Sequence, residues 1–237
     1  MAVQGDFREH METLDAVGAV GREVRLPGDL DGVDGLILPG GESTAMRKLY
    51  LRWGLVPPIT ALAARGAPIL GTCAGAILLA TRIADGDEPV LSLVDMEVRR
   101  NAFGRQLDSF ETELTMKSLK ANGADTSLRA VFIRAPEIVS VGPAASVVAR
   151  LPSGEIVAAR QGNVVAISFH PEIAGESPDV GCTNGLDDAD VCEQRPPLGV
   201  EAHRGGVDAV VPESDGVRAG EGMGEPNTQG CRLVPVD

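Results

Sequence analysis

The stretch PILGTCAGAILLA, residues 68–80, sets an apolar strand directly against an apolar helix with only Gly-Thr-Cys-Ala-Gly between them. A short apolar run ending in turn residues is the pattern of a strand buried on both faces, as strands are in parallel α/β sheets. The same order occurs once before, where GLIL, residues 35–38, runs through PGGEST into STAMRKLYLRWG. AGAILLATRIADG reads as the second helix, with a glycine near each end. Strand, loop and helix, repeated, predict a parallel sheet with crossover helices.

The next region is richer in strands. DMEVRRN, SFETELTMK, AVFIRA, EIVAARQG and NVVAISFHPE follow one another with few helical intervals, which predicts a mixed sheet or a β-rich edge. LKANGADTSL, residues 119–128, reads as a loop. After Ser177 the character changes. Residues 178–237 hold ten Gly and six Pro but no Lys, Ile, Phe, Tyr or Trp. Such a segment buries too little apolar surface to offset its ordering entropy, so a disordered tail is expected.

The 237 residues are 43% hydrophobic, enough for one core, and no run approaches a membrane span of about 18 apolar residues. The N-terminus MAVQGDFREH has no basic-then-apolar signal segment. A cytoplasmic chain is expected. The net charge of -13, with no basic stretch, excludes nucleic acid and anionic membranes as partners, because nothing would gather phosphates. Cys182, Cys192, His203 and Cys231 have gaps that fit no zinc pattern, and no metal is expected.

A residue on a tight strand-to-helix turn projects into the crevice above the sheet, and Gly71 and Gly75 permit that turn at Cys73. Gly-x-Cys-x-Gly is the thiol counterpart of the nucleophile elbow. The helix that follows turns free N–H groups toward the sulfur, which suits an anionic sulfur and a developing oxyanion. The chemistry indicated is acyl transfer, although a buried structural cysteine has the same motif. A base decides between them.

Of three histidines, His203 lies in the tail and His10 lies in DFREHMETLDAVG, which reads as an exposed amphipathic helix. His170 ends the run NVVAISF and precedes Pro171 and Glu172, at the kind of strand end where α/β sites form. In extended chain, residues i and i+2 point the same way, so Glu172 can lie beside the His170 ring and fix its tautomer. LPGGEST, residues 38–44, is a further strand-to-helix connection. Its glycines expose N–H groups for an oxyanion or carboxylate. Glu42 and Ser43 can contact a polar ligand, or Ser43 can simply cap the helix.

LPGGEST, GTCAGAILLA, RRNAFGRQLDSFE, VFIRAPEI and SFHPE, in this order, together with QGDFREH at the start, resemble the glutaminase subunits of bacterial-type pyridoxal 5'-phosphate synthases. These are class I (triad) glutamine amidotransferases. The likeness runs over residues 2–175. It implies an α/β, flavodoxin-like three-layer glutamine amidotransferase fold with a mixed, mostly parallel sheet over residues 1–177, with the acidic tail at 178–237. It also implies hydrolysis of L-glutamine to glutamate and ammonia, which passes to a synthase subunit in a large hetero-oligomer. That partner builds pyridoxal phosphate from ribose 5-phosphate and glyceraldehyde 3-phosphate. By the resemblance Cys73 is the nucleophile, His170 the general base and acid, and Glu172 the orienting carboxylate. Glutamine is held by Gly41, Glu42 and Ser43, by Arg100, and by Ile133 and Arg134. The N–H groups of Gly41 and Ala74 form the oxyanion hole, and no bound cofactor is required.

Two departures qualify the resemblance. The family begins with a complete strand where only Met1, Ala2 and Val3 stand here, so a truncated first strand is expected. It also ends in an amphipathic helix where the tail offers none, which reads as a change of reading frame near Ser177 rather than a lineage-specific tail. Three other readings share some of these features. They are an amidotransferase of another pathway such as histidine biosynthesis, a partner-independent cysteine hydrolase, and a catalytically impaired binding protein. RRNAFGRQ argues against the first, and the presence of all three catalytic side chains argues against the last.

Overall fold

The computed structural model describes residues 7–100, 109–118, 123–174 and 233–235. Two compact units divide the chain, Met1–Thr183 with Gly230–Asp237 and Asn184–Gln229, and every described residue belongs to the first. Helix α1 (Phe7–Ala16) leads through a 3-10 turn at Pro27–Leu30 to β1 (Gly35–Leu38). Then come α2 (Ser43–Arg52), α3 (Val56–Ala64), β2 (Ile69–Thr72), α4 (Ala74–Leu79) and β3 (Ala80–Ile83). The strand-rich part follows with β4 (Val94–Arg99), β5 (Ser109–Met116), β6 (Thr126–Ile133), β7 (Glu137–Val141), β8 (Ser146–Arg150), β9 (Ile156–Gln161) and β10 (Val164–Ile167). From the tail, β11 (Leu233–Pro235) completes the set.

The main sheet has the order β11-β1-β2-β10-β9-β7-β4-β3, with β8 paired to β9. Strands β11, β1, β2 and β10 run parallel, as do β3 and β4, whereas β9 and β7 are antiparallel to their neighbours. The mixed sheet expected from the sequence is therefore split into a parallel half and a β-rich half. Alternate residues of the central strands feed two cores. Leu36, Leu38 and Ile69 face Met46, Tyr50, Ile59 and Leu78 of α2, α3 and α4. Ile37, Leu70, Val165 and Ile167 face Leu14 of α1 and the hairpin β5–β6. A strand with apolar residues at both parities has two faces to bury, and the fold covers both.

Three local departures from the sequence reading have physical causes. The helix after Cys73 is six residues long, because Ala80 turns extended and the β-branched Thr81 and Ile83 enter β3, pairing Ala80 with Val94 and Arg82 with Glu97. Of the expected loop, residues 126–128 lie in β6, held by the eight-pair register of β5 with β6, and residues 119–122 fall outside the described residues. Within the expected disordered tail, Leu233–Pro235 form a strand on β1, with Gly35 opposite Leu233 and Ile37 opposite Pro235. The rest of that tail, the truncated first strand and residues 101–108 lie outside the described residues.

The elbow itself rests on close packing. A methyl group built on Gly75 would stand 2.0 Å from the Leu38 carbonyl oxygen, and one on Gly71 would stand 2.8 Å from the Gly75 backbone. Only a bare backbone lets β1, β2 and α4 converge this closely. Replacing Gly75 with Ala forces β1 away from α4. Overpacking of this kind costs about 1–3 kcal/mol or more. Thermal melts of Gly75→Ala against the unaltered chain should therefore show a fall in Tm of at least about 3 °C for a chain of this length.

Candidate active site

Strands β2 and β10 are parallel neighbours with Thr72 opposite Ile167. Their C-terminal ends therefore lie side by side, which brings Cys73, after one, next to the residues after the other. The Cys73 N–H donates to the Ile167 carbonyl at 2.9 Å. Cys73 has φ 47° and ψ -104°, a backbone that non-glycine side chains rarely adopt. Such strain persists only where the surroundings impose it, and it aims the side chain off the strand.

The segment after β10 is fixed on both sides. Ser168 N–H donates to Val157 at 2.9 Å and His170 N–H donates to Val131 of β6 at 2.8 Å. Between them Phe169 packs on Phe132 with ring centroids 5.5 Å apart, and Phe132 stacks on Phe110 at 4.5 Å. His170 cannot drift without unpacking an aromatic cluster. Its Nδ1 lies 2.7 Å from Oε1 of Glu172, and both side chains are buried; the pairing expected of an extended chain is made instead where the chain enters the turn at residues 171–174. A side-chain hydrogen bond joins His170 to Cys73, which is 8% exposed. Sulfur, imidazole and carboxylate thus form one line of contacts.

The other sequence-predicted residues flank this line. The loop after β1 is tied to the elbow by the Gly75 N–H, which donates to the Pro39 carbonyl at 3.1 Å. Gly41 in that loop has φ 147°, where a side chain would be strained. Glu42, not Ser43, is the cap of α2: its carboxylate accepts the N–H groups of Thr44 at 2.9 Å and Ala45 at 2.7 Å. Burial pushes its carboxyl upward, but those two N–H groups and the Arg100 charge outweigh it and hold it below the ordinary value. Arg100 reaches the same helix start, with Nη1 3.2 Å from Thr44 Oγ1, and pairs with Asp85 and Asp87. Ile133 ends β6 and Arg134 follows it, three residues or fewer from the Val131 that holds His170. Arg134 is exposed and, at φ 44°, is one of three non-glycine residues with positive φ among the described residues.

His10 corrects the sequence reading. It is 2% exposed rather than on a solvent face, and its Nε2 lies 3.3 Å from Thr72 Oγ1 and 3.5 Å from Glu172 Oε1. The signal was its spacing from Leu14, which at i, i+4 places both on the buried face of α1.

The sequence profile of the SNO glutamine amidotransferase family matches residues 1–181. The chain belongs to the SNO glutamine amidotransferase family. It is 52% identical over 178 residues to the pyridoxal 5'-phosphate synthase subunit PdxT of Roseiflexus castenholzii, covering 74% of this chain and 92% of that one. To the same subunit of Corynebacterium jeikeium it is 50% identical over 176 residues, covering 73% and 88%. A solved structure, "Crystal structure of glutamine amidotransferase", superposes with a TM-score of 0.67 at 43% identity, covering 74% and 90%. A structure of PurLQS from Thermotoga maritima, at 20% identity and TM-score 0.57, covering 75% and 87%, shares the fold.

Electrostatics in this SNO-family site centre on His170. Burial disfavours its charge, but the hydrogen bonds to Cys73 and Glu172, with their Coulomb attraction, outweigh that cost and raise the ring to about 10. A raised histidine stabilises the fold fully below its ordinary value near 6.5, and that contribution is lost as pH rises through about 10. The ring should accordingly stay protonated through neutral pH. An NMR titration of the His170 ring should place proton loss near pH 10 in the unaltered chain and at lower pH in Glu172→Gln.

Proposed function

We propose that the chain is the glutaminase subunit of a pyridoxal 5'-phosphate synthase, hydrolysing L-glutamine to L-glutamate and ammonia and supplying the ammonia to a synthase subunit. The observation that carries this reading is the buried line from Cys73 through His170 to Glu172, set at the ends of two paired parallel strands. The names of the SNO-family relatives supply the pathway.

In this reading the proton shared between Cys73 and His170 rests on the imidazole ring, and the sulfur attacks the side-chain carbonyl carbon of glutamine. The oxygen becomes negative and is received by the backbone N–H groups of Gly41 and Ala74. Collapse expels the nitrogen as ammonia once His170 returns the proton to it, because an amide anion is too poor a leaving group. A glutamyl thioester remains on Cys73. His170, now neutral, takes a proton from water as the water oxygen attacks that thioester. The second collapse breaks the C–S bond, releases glutamate and leaves the sulfur and imidazolium as they began. Glu172 holds the ring in one tautomer and offsets its charge in both halves.

Substrate recognition falls to the flanking residues. Gly41, Glu42 and Ser43 receive one end of glutamine and Ile133 and Arg134 another, with Arg100 supplying charge for the carboxylate. The Asp85 and Asp87 partners of Arg100 orient its guanidinium and also moderate that charge. The amidotransferase domain is residues 1–177, followed by an acidic tail, and the chain works in the cytoplasm, where Cys73 stays reduced. Among the described residues no helix is long and apolar enough to cross a membrane. Docking of the synthase subunit in a large hetero-oligomer is needed for full activity.

Glutamate release from L-glutamine, assayed with and without the synthase subunit, tests the reading. Release is expected with the partner and should fall to background in Cys73→Ala. No release by the unaltered complex, with the partner still bound, would identify a binding protein instead.

A further inference from the structure

The line from Cys73 to Glu172 does not end at Glu172. Beyond His170 the same carboxylate meets His10, whose Nε2 faces two oxygens: Oε1 of Glu172 at 3.5 Å and Oγ1 of Thr72 at 3.3 Å. Oε1 is the oxygen already taken by His170 Nδ1, and Oε2 of the same carboxylate is buried without a hydrogen-bond partner among the described residues. The Glu172 side chain is 1% exposed. Its orientation therefore depends on what touches Oε1. Thr72 is fully buried and immediately precedes the nucleophile. One imidazole on α1 thus touches both halves of the site: the strand end carrying Cys73 and the carboxylate that orients His170.

A core-facing position of an amphipathic helix is ordinarily filled by an aliphatic residue, as Leu14 fills the next turn of α1. Burying an imidazole there costs desolvation unless its nitrogens are used. The Thr72 contact anchors the ring, while the Glu172 contact is longer and acts through charge and direction. We propose that His10 is a positioning residue of the reaction, holding the Glu172 carboxylate in line with His170. It touches neither substrate nor reacting atoms. The inference rests on the glutaminase reading for its rate effects, while its structural content can be read without substrate. The groups facing His170 are Cys73 and Glu172, and the group facing Glu172 from α1 is His10.

The test uses the full chain assembled with its synthase subunit and three variants. His10→Leu removes the nitrogen. His10→Gln returns an amide N–H at the reach of Nε2, and His10→Asn keeps polarity but stops short. In His10→Leu, kcat should fall at least about tenfold, as small misalignments of catalytic groups do. KM for glutamine should stay within about twofold, the sign of an interaction made beyond substrate binding. NMR titration of His170 without substrate should show its proton lost about one pH unit lower, the equivalent of a tenfold loss of preference for the charged ring. His10→Gln should restore both properties and His10→Asn should not.

In a Glu172→Gln background the His10→Leu effect on kcat should vanish, because His10 acts only through that carboxylate. An effect of the same factor in both backgrounds overturns the proposal, as does an unmoved or raised His170 titration. If His10→Leu fails to fold, the Gln and Asn variants decide: a difference between them in kcat and titration supports the proposal, and equal behaviour overturns it. An inactive unaltered complex would refute the glutaminase reading, leaving the substrate-free titration to judge His10 alone.

Discussion

The close approach of Gly75 to the Leu38 carbonyl is the constraint on which the rest of the structure depends. With no side chain between them, α4 begins almost in contact with the end of β1, and Gly71 lets the helix fold back over β2. Two consequences follow from the same contact. The loop after β1 is drawn to the elbow, where the Gly75 N–H finds the Pro39 carbonyl. The single residue between strand and helix is left with no relaxed backbone, so Cys73 takes φ 47°. Strain at Cys73 and placement of the adjacent glycine loop are one packing decision. A larger residue at 75 would change both together.

From that corner inward the site is a chain of buried polar groups, each unfavourable alone. A charged imidazole removed from water is costly unless partners surround it, and His170 is held between a sulfur and a carboxylate. The carboxylate is equally dependent, since one of its oxygens meets two histidines and the other meets no hydrogen-bond donor among the described residues. What keeps these groups in register is apolar. Phe169 packs into the Phe132–Phe110 stack, and the backbone of His170 is tied to β6. The hairpin β5–β6 therefore serves the chemistry while contributing no reacting group. Its strand end also carries Ile133 and Arg134 to the same region.

Much of this was legible because it is local. The spacing of Gly71, Cys73 and Gly75 marks a tight strand-to-helix turn, and residues 170 and 172 are too close in sequence to part far, although they meet at a turn rather than along an extended chain. The mixed sheet was legible in the change from helix-separated to consecutive strands. The parts that were not legible depend on partners far away in sequence. His10 has helical spacing with Leu14, but burial of that face becomes visible only when α1 lies against the sheet, 62 residues from Thr72. The α4 helix was read too long because its propensity continues past Leu79, and pairing with β4 overrides it. Glu42 displaced Ser43 as the cap because a longer carboxylate can take two N–H groups at once.

Strand β11 shows the same limit at its most severe, since composition averaged over sixty residues hides three. β1 is buried at all four positions, so an unpaired outer edge would leave main-chain groups without water or partners. Leu233, Val234 and Pro235 supply that pairing in parallel register with Gly35, Leu36 and Ile37. Pro235 has no N–H to offer a further strand, and proline within sheets is confined to edges, so β11, the edge of the sheet among the described residues, is blunted against additional pairing. Through β1 this edge leads directly to Leu38, the residue that Gly75 meets. Leu233–Pro235 are thus held two strands from β2, whose end carries Cys73, and a shift of β11 would reach Cys73 through the close Gly75–Leu38 contact.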